Sequence, residues 1–419
     1  MPYDALTIDT NLVKQEGLNL EGGLLAQLKQ FKDGPVDFVL SEIVILETEK
    51  HLVDQVKNIR DKLASAVGRI EDVQLATGAE AAELKARIDA LGDPKAVARS
   101  RLKAFFEATG AMPVPAKYAS MSDLVRGYFK ASPPFDPSGA KKHEFPDAIA
   151  LLSLEGWAKE TQKKVLAVSG DKGWAQFAET SEWIDVEADF AKALQVLQEH
   201  AEEARIRVAD VLSRVEAGAL EDIAEVIKDG LGTGLSEWMF MAEGHGSFYL
   251  EVYATELALG DYTFSKVDDQ FDITIVRLGN TEVVARIGVS VSATATAEFS
   301  LSSYDSIDKD MVQMGSEAAE SEVEFDGAIL VTLLGDLAGD LGELEAYGVE
   351  VVEAIDSVDF GEIEFSPDYD DYEDWLMEAD QDPGIAVAEP IDGHCTDKPV
   401  IGQAATGPST EAIAPLRTP

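Results

Sequence analysis

At 419 residues and 45.1 kDa the chain is too long for one ordinary core, and its single cysteine, Cys395, excludes an intrachain disulfide framework or a multi-cysteine zinc site. Its five histidines fall into no metal-ligand spacing. The chain contains neither an apolar run long enough to span a membrane nor a basic N-terminal stretch leading into an apolar one, so a soluble, cytoplasmic protein with no membrane association is expected. The formal charge of −45 is unevenly spread: residues 1–180 hold 26 acidic and 23 basic side chains, and residues 181–419 hold 53 and 11. The first part therefore has the cations to meet a polyanion, whereas the second repels one.

In chain order, residues 5–11 (ALTIDTN) read as a strand ending in an acid. Leu24, Leu25, Leu28 and Phe31 recur at helical spacing, and Asp33-Gly34-Pro35 stops that helix. Residues 36–40 (VDFVL) predict a second strand, after which Ser41 caps a helix carrying Glu47. Strand, helix, strand, helix begins a parallel sheet built from crossovers. Residues of about 50–131 are helix-forming and charged, and read as a helical insertion. Residues 143–174 (HEFPDAIALLSLEGWAKETQKKVLAVSGDKGW) predict a helix opened by Pro146 and Asp147, then a buried strand, Val165 to Val168, ending at Ser169-Gly170-Asp171. An edge strand is expected near residues 183–186. One or two amphipathic helices follow over 190–229, interrupted near Gly218, and a change of pattern comes at Gly230 to Leu235 (GLGTGL).

From residue 247 alternation replaces helical spacing, and Gly279-Asn280 supplies a hairpin signal. The domains expected are thus an α/β domain over 1–235, an antiparallel β-rich (α+β) domain over 245–366, and an acidic, then Pro/Ala-rich, disordered tail over 367–419. Residues 301–390 hold 27 acidic side chains and one basic, Lys309.

Four acids fall at strand ends or on the adjoining helices: Asp9, Glu47, Asp147 and Asp171. Each taken singly has an ordinary explanation, as a turn acid, a helix cap or solvated surface. Taken together in a consistent strand-helix order, four carboxylates cannot all stay ionised in one pocket without a cation. Mg²⁺ or Mn²⁺ is the natural partner of such an oxygen set. Arg99, Arg101, Lys103, Lys117, Arg126, Lys130, Lys141 and Lys142 lie in or beside the insertion, interleaved with Phe105, Phe106, Tyr118, Tyr128 and Phe129. Cations and aromatic faces suit a single-stranded nucleic acid, and Lys172 beside Asp171 joins that set.

The segments Ile8-Asp9-Thr10-Asn11, Ser41 to Glu47 (SEIVILE), Glu144 to Ala150 (EFPDAIA) and Val168 to Trp174 (VSGDKGW) resemble the four motifs of PIN-domain nucleases. The chain is most similar to a bacterial PIN-like branch with an EFPDA element and a C-terminal domain of unknown function. The resemblance covers residues of about 4–185 and implies a PIN-like parallel sheet flanked by helices. It also implies that Asp9, Glu47, Asp147 and Asp171 are catalytic metal ligands, with Asn11, Glu144 and Ser169 as supports. Glu42 and Glu49 are the alternatives for the second acid.

The activity expected is a divalent-metal-dependent endoribonuclease acting on single-stranded or structured RNA. A haloacid-dehalogenase-like phosphatase would need a second aspartate where Asn11 stands. A non-catalytic acidic interaction or regulatory protein is the rival of a different class. Sensing or homo-oligomer formation is the role left to the β-rich part, and self-inhibition to the acidic C-terminal region.

Overall fold

The computed structural model describes residues 2–364 except 73, 74, 76, 136–143, 307, 308, 338 and 340. Lys141, Lys142, Cys395 and the expected acidic tail therefore lie outside the described residues.

Five short strands form one parallel sheet: β1 (Ala5–Ile8), β2 (Asp37–Ser41), β3 (Met112–Val114), β4 (Val165–Val168) and β5 (Ile184–Glu187), in the order β3-β2-β1-β4-β5. β1 and β4 are buried at every position, as central parallel strands covered on both faces must be. The helices are α1 (Thr10–Gln15), α2 (Gly23–Gln27), α3 (Glu42–Asp72), α4 (Gly78–Asp89), α5 (Pro94–Thr109), α6 (Met121–Lys130), α7 (Phe145–Thr161), α8 (Lys172–Ala178), α9 (Phe190–Val196), α10 (Ala201–Glu216) and α11 (Glu221–Ser236). Leu6, Ile8, Phe38 and Leu166 face a core built with α1, α2, α5 and α9. On the opposite face, Ala5, Val39, Val165 and Ala167 pack against Leu151 and Leu154 of α7 and Trp174 of α8.

Two sequence readings change. The stretch over 50–131 is not helical throughout, because β3 lies within it and extends the sheet beyond β2. Its three residues include Pro113, which only an edge strand tolerates, so neither length nor composition announced it. The GLGTGL segment does not end the helix but forms the last turns of α11. A Cβ on Gly230 would lie 2.5 Å from Val349 Cβ, and one on Gly234 would lie 2.4 Å from Val351 Cγ2. The glycines let the helix lie directly on the strand Glu345–Glu353.

The β-rich part comprises β6 (Met241–His245), β7 (Tyr249–Phe264), β8 (Lys266–Val267), β9 (Gln270–Phe271), β10 (Ile273–Leu278), β11 (Glu282–Asp305), β12 (Asp310–Leu334), β13 (Glu345–Glu353) and β14 (Ser357–Glu362). Its main sheet is antiparallel in the order β10-β11-β12-β13, with β7 also paired to β11. The expected turn at Gly279-Asn280 joins β10 to β11, with Gly279 N–H donating to Glu282 O at 2.7 Å. Among the described residues, no helix is long and apolar enough to cross a membrane.

The β-rich part is packed onto the first sheet's helical layer. Val276, Val284 and Leu330 share a core with Leu24, Leu28 and Phe190. Gln195 Oε1 accepts from Ile275 N–H at 2.9 Å, and Gln30 Nε2 donates to Val276 O at 2.9 Å. At the rim of this contact Gly23 N–H donates to Glu350 Oε1 at 2.6 Å, and Arg286 pairs with Glu353 at 2.5 Å. Burial, with Glu350 and Glu353 adding to it, pushes the Glu16 carboxyl up to about 7 against the Leu24 backbone and Arg286.

Gly234→Leu should lower the thermal midpoint by several degrees, an overpacking cost of about 1–3 kcal/mol. Gly232→Ala, whose Cβ would meet only Leu259 Cδ2 at 3.8 Å, should be neutral or stabilising in the same melting experiment. Glu16 holds its proton more tightly folded than unfolded, so its contribution is full below its ordinary value of 4.5 and lost as pH rises through about 7. Glu16→Gln should therefore stabilise the protein at pH above about 8 by about 1–2 kcal/mol, with a smaller difference in mild acid, as read by denaturant unfolding.

Candidate active site

The register of two neighbouring strands creates the site. Ile8 of β1 pairs with Val168 of β4, so the residues that follow, Asp9 and Ser169, emerge side by side at the carboxyl edge. There the strand order reverses, with β2 on one side of β1 and β4 on the other, which opens a crevice between successive crossovers. Ser169 Oγ donates to Asp9 Oδ2 at 2.9 Å and accepts the Asp171 N–H at 3.1 Å, tying the first acid to the last. Asp171 caps α8, its Oδ1 accepting from Gly173 N–H at 2.6 Å and Trp174 N–H at 3.3 Å.

The other two acids arrive on helices. Asp147 sits in the first turn of α7 but does not cap it, because its Oδ1 accepts from the buried Trp174 Nε1–H at 3.2 Å. Glu47 lies on α3, where its Oε2 accepts from Thr10 Oγ1 at 2.8 Å. Thr10 and Trp174 thus orient two of the four acids. The only sequence signal for either was adjacency, to Asp9 in one case and to the GDKG turn in the other.

The electrostatics bring the four together. Burial pushes the Asp147 carboxyl up to about 6, the Trp174 hydrogen bond opposes the rise, and the charges of Asp9, Asp171 and Glu47 all add to it. Asp9 is 3% exposed and is also raised, first by burial and further by Asp171. Ser169 and the backbone N–H groups of Asn11 and Thr10 pull it back. The two alternative acids are engaged elsewhere: Glu42 accepts from Ala116 N–H at 2.8 Å, and Glu49 from Arg99 Nε at 2.8 Å. Asn11 has an exposed side chain, and Glu144 stands at the N-cap of α7, three residues before Asp147.

The donor set fits a hard divalent ion, being made of carboxylate oxygens, two of which, on Asp9 and Asp147, are held mainly by burial at a raised proton affinity. Among the described residues, no three acidic, histidine or cysteine side chains already close into a metal cage. Instead each of the four acids rests on a protein donor, the arrangement that mutual repulsion favours.

The cations divide. Arg101 donates to Glu21 at 2.7 Å, to Gln55 at 3.2 Å and to Leu18 O at 2.9 Å, so its guanidinium holds the helical layer together. Arg99 is paired with Glu49, Lys103 lies 3.5 Å from Glu107, and Arg126 lies 2.9 Å from Asp123. Lys130 and Lys172 are exposed.

Residues 6–174 match the family model of the PIN domain. This part of the chain is a PIN domain, and PIN domains are in general nucleases that use divalent metal ions. The matched stretch contains all four acids and ends before α9 and the β-rich part. No curated protein and no solved structure matches the chain.

In metal-free buffer the raised Asp147 carboxyl favours the folded state fully only below its ordinary value of 3.8, and that contribution is lost as pH rises through about 6. Asp147→Asn should therefore raise the melting temperature near pH 8, by about 1–2 kcal/mol in stability, and lose its advantage near pH 4. Added Mn²⁺ should stabilise the unsubstituted protein more than the variant in the same thermal-shift assay.

Proposed function

We propose that this protein is a divalent-metal-dependent endoribonuclease that hydrolyses RNA phosphodiester bonds at Asp9, Glu47, Asp147 and Asp171, and that it works in the cytoplasm. The observation that carries the reading is the convergence on Asp147, whose proton affinity is raised first by burial and then by three acids drawn from separate elements of the fold. A family match that spans all four supports it.

The four carboxylates would hold Mg²⁺ or Mn²⁺, which when bound supplies Lewis acidity toward water and phosphate oxygens. Ser169 keeps Asp9 and Asp171 a fixed distance apart by bonding to both. Trp174 and Thr10 hold Asp147 and Glu47 in single orientations, so the oxygens are placed before substrate arrives. Water adds to phosphorus as the ester P–O bond breaks, leaving one phosphate monoester end and one free hydroxyl. Because water itself is the nucleophile, no covalent enzyme intermediate forms.

The test uses a circular RNA, which only an internal cut can open. With Mg²⁺ or Mn²⁺ the unsubstituted protein should linearise it, while Asp9→Asn and Asp171→Asn should each lower the rate at least a hundredfold with circular dichroism unchanged. Cleavage by both variants at the original rate would remove these acids from the chemistry.

A further inference from the structure

The five aromatic side chains of the basic region have separate fates. Phe105 is buried edge-on to Phe38 at 6.1 Å, Phe106 packs against the same core, and Tyr118 packs beneath α7. Tyr128 joins Phe135 and Phe145, at 5.7 Å and 5.1 Å between ring centres. Phe129 alone among them is left in solvent, at 79% exposed.

Resting on the nuclease reading above, we propose that Phe129 is a stacking platform for a nucleobase of single-stranded RNA, set on the outer face of α6 beside the four acids. Three observations carry this. First, the exposed apolar residues of α6 are Met121, Val125 and Phe129, four apart, so they form one stripe along the helix. A contiguous apolar stripe is costly to leave in water and marks a contact surface.

Second, the stripe is rigid and close to the acids. Ser120 caps α6 by accepting from Asp123 N–H at 3.3 Å, and Leu124 is buried. The Phe129 ring meets Tyr128 edge-on at 5.3 Å, and Tyr128 touches Phe145, two residues before Asp147 on α7. Phe129 is thus joined through the Tyr128 ring to Phe145, the first residue of the helix carrying Asp147.

Third, charge selects the occupant. Lys130 follows Phe129 directly and faces solvent, while Arg126, three residues before it on the same helical face, is shared with Asp123 at 2.9 Å. Cations flanking an exposed aromatic match a phosphate backbone with its bases turned inward. A base within a duplex already has both faces stacked, so the platform favours unpaired RNA.

The experiment measures steady-state cleavage of an unstructured oligoadenylate by the full chain with Mn²⁺, comparing the unsubstituted protein with Phe129→Ala, Phe129→Leu and Phe129→Trp. Phe129→Ala and Phe129→Leu should raise KM about tenfold with kcat changed less than twofold. Phe129→Trp should keep the original KM, and its added indole fluorescence should be quenched by the RNA. An oligonucleotide of abasic sites should erase the difference between the variants. An unchanged KM in Phe129→Ala, or full function in Phe129→Leu, would overturn the platform while the nuclease stands. A change in sedimentation coefficient on Phe129→Ala would also overturn it, because the stripe would then be a contact between copies. Failure of the unsubstituted protein to cut or bind any RNA would remove the nuclease reading and the platform with it, and that outcome is visible before any variant is made.

Discussion

The parallel register of β1 with β4, which sets Asp9 beside Ser169 and Asp171 at the carboxyl edge of the sheet, is the constraint on which the rest of this region depends, and it places like charges near one another. Asp9 is almost wholly buried and Asp147 half-buried; burial first, and neighbouring acid charge after it, makes each bind a proton more tightly than a free carboxylate does. The fold offsets that repulsion locally. Ser169, Thr10, Trp174 and the first N–H groups of α8 each donate to one of the acids, and the parallel register of β1 with β4 places the donors beside them.

The same crevice explains why the crossover order matters more than any single motif. Asp9 and Asp171 follow neighbouring strands, whereas Glu47 and Asp147 lie a hundred residues apart in sequence on two helices that meet at the sheet edge. The long intervening stretch does not disturb this, because it leaves on α3 and returns by adding β3 outside β2. The β-rich part attaches through α2 and α9, on the sheet face opposite α7 and α8. Its own integrity rests on close contact between α11 and β13, where Gly230 and Gly234 remove the side chains that would hold them apart.

Charge in this protein is read correctly only after pairing is known. By composition the first 180 residues look nearly neutral and well supplied with cations. In the fold Arg101 is consumed by Glu21 and two further acceptors, and Arg99 by Glu49. The cations left facing solvent near the acids are fewer, and Lys130 and Lys172 are the clearest. A surface charge already satisfied by a neighbour contributes little to attracting a polyanion.

The sequence by itself determined the alternation of strands and helices, the acids at their ends and the hairpin at Gly279-Asn280, because these depend on periodicity and local turn chemistry. It could not separate Glu47 from Glu42 and Glu49, since three acids within about two turns of one helix differ only in what they meet across space. Nor could it show that GLGTGL is helix rather than linker, or that a three-residue segment around Pro113 is a strand, because both are decided by partners distant in the chain. Phe129 and Phe105 were equal in the sequence, and only packing made one a core residue and the other a free face. Local signals are written in neighbouring residues, whereas the choice among equivalent side chains is made by contacts that exist only once the chain has closed on itself.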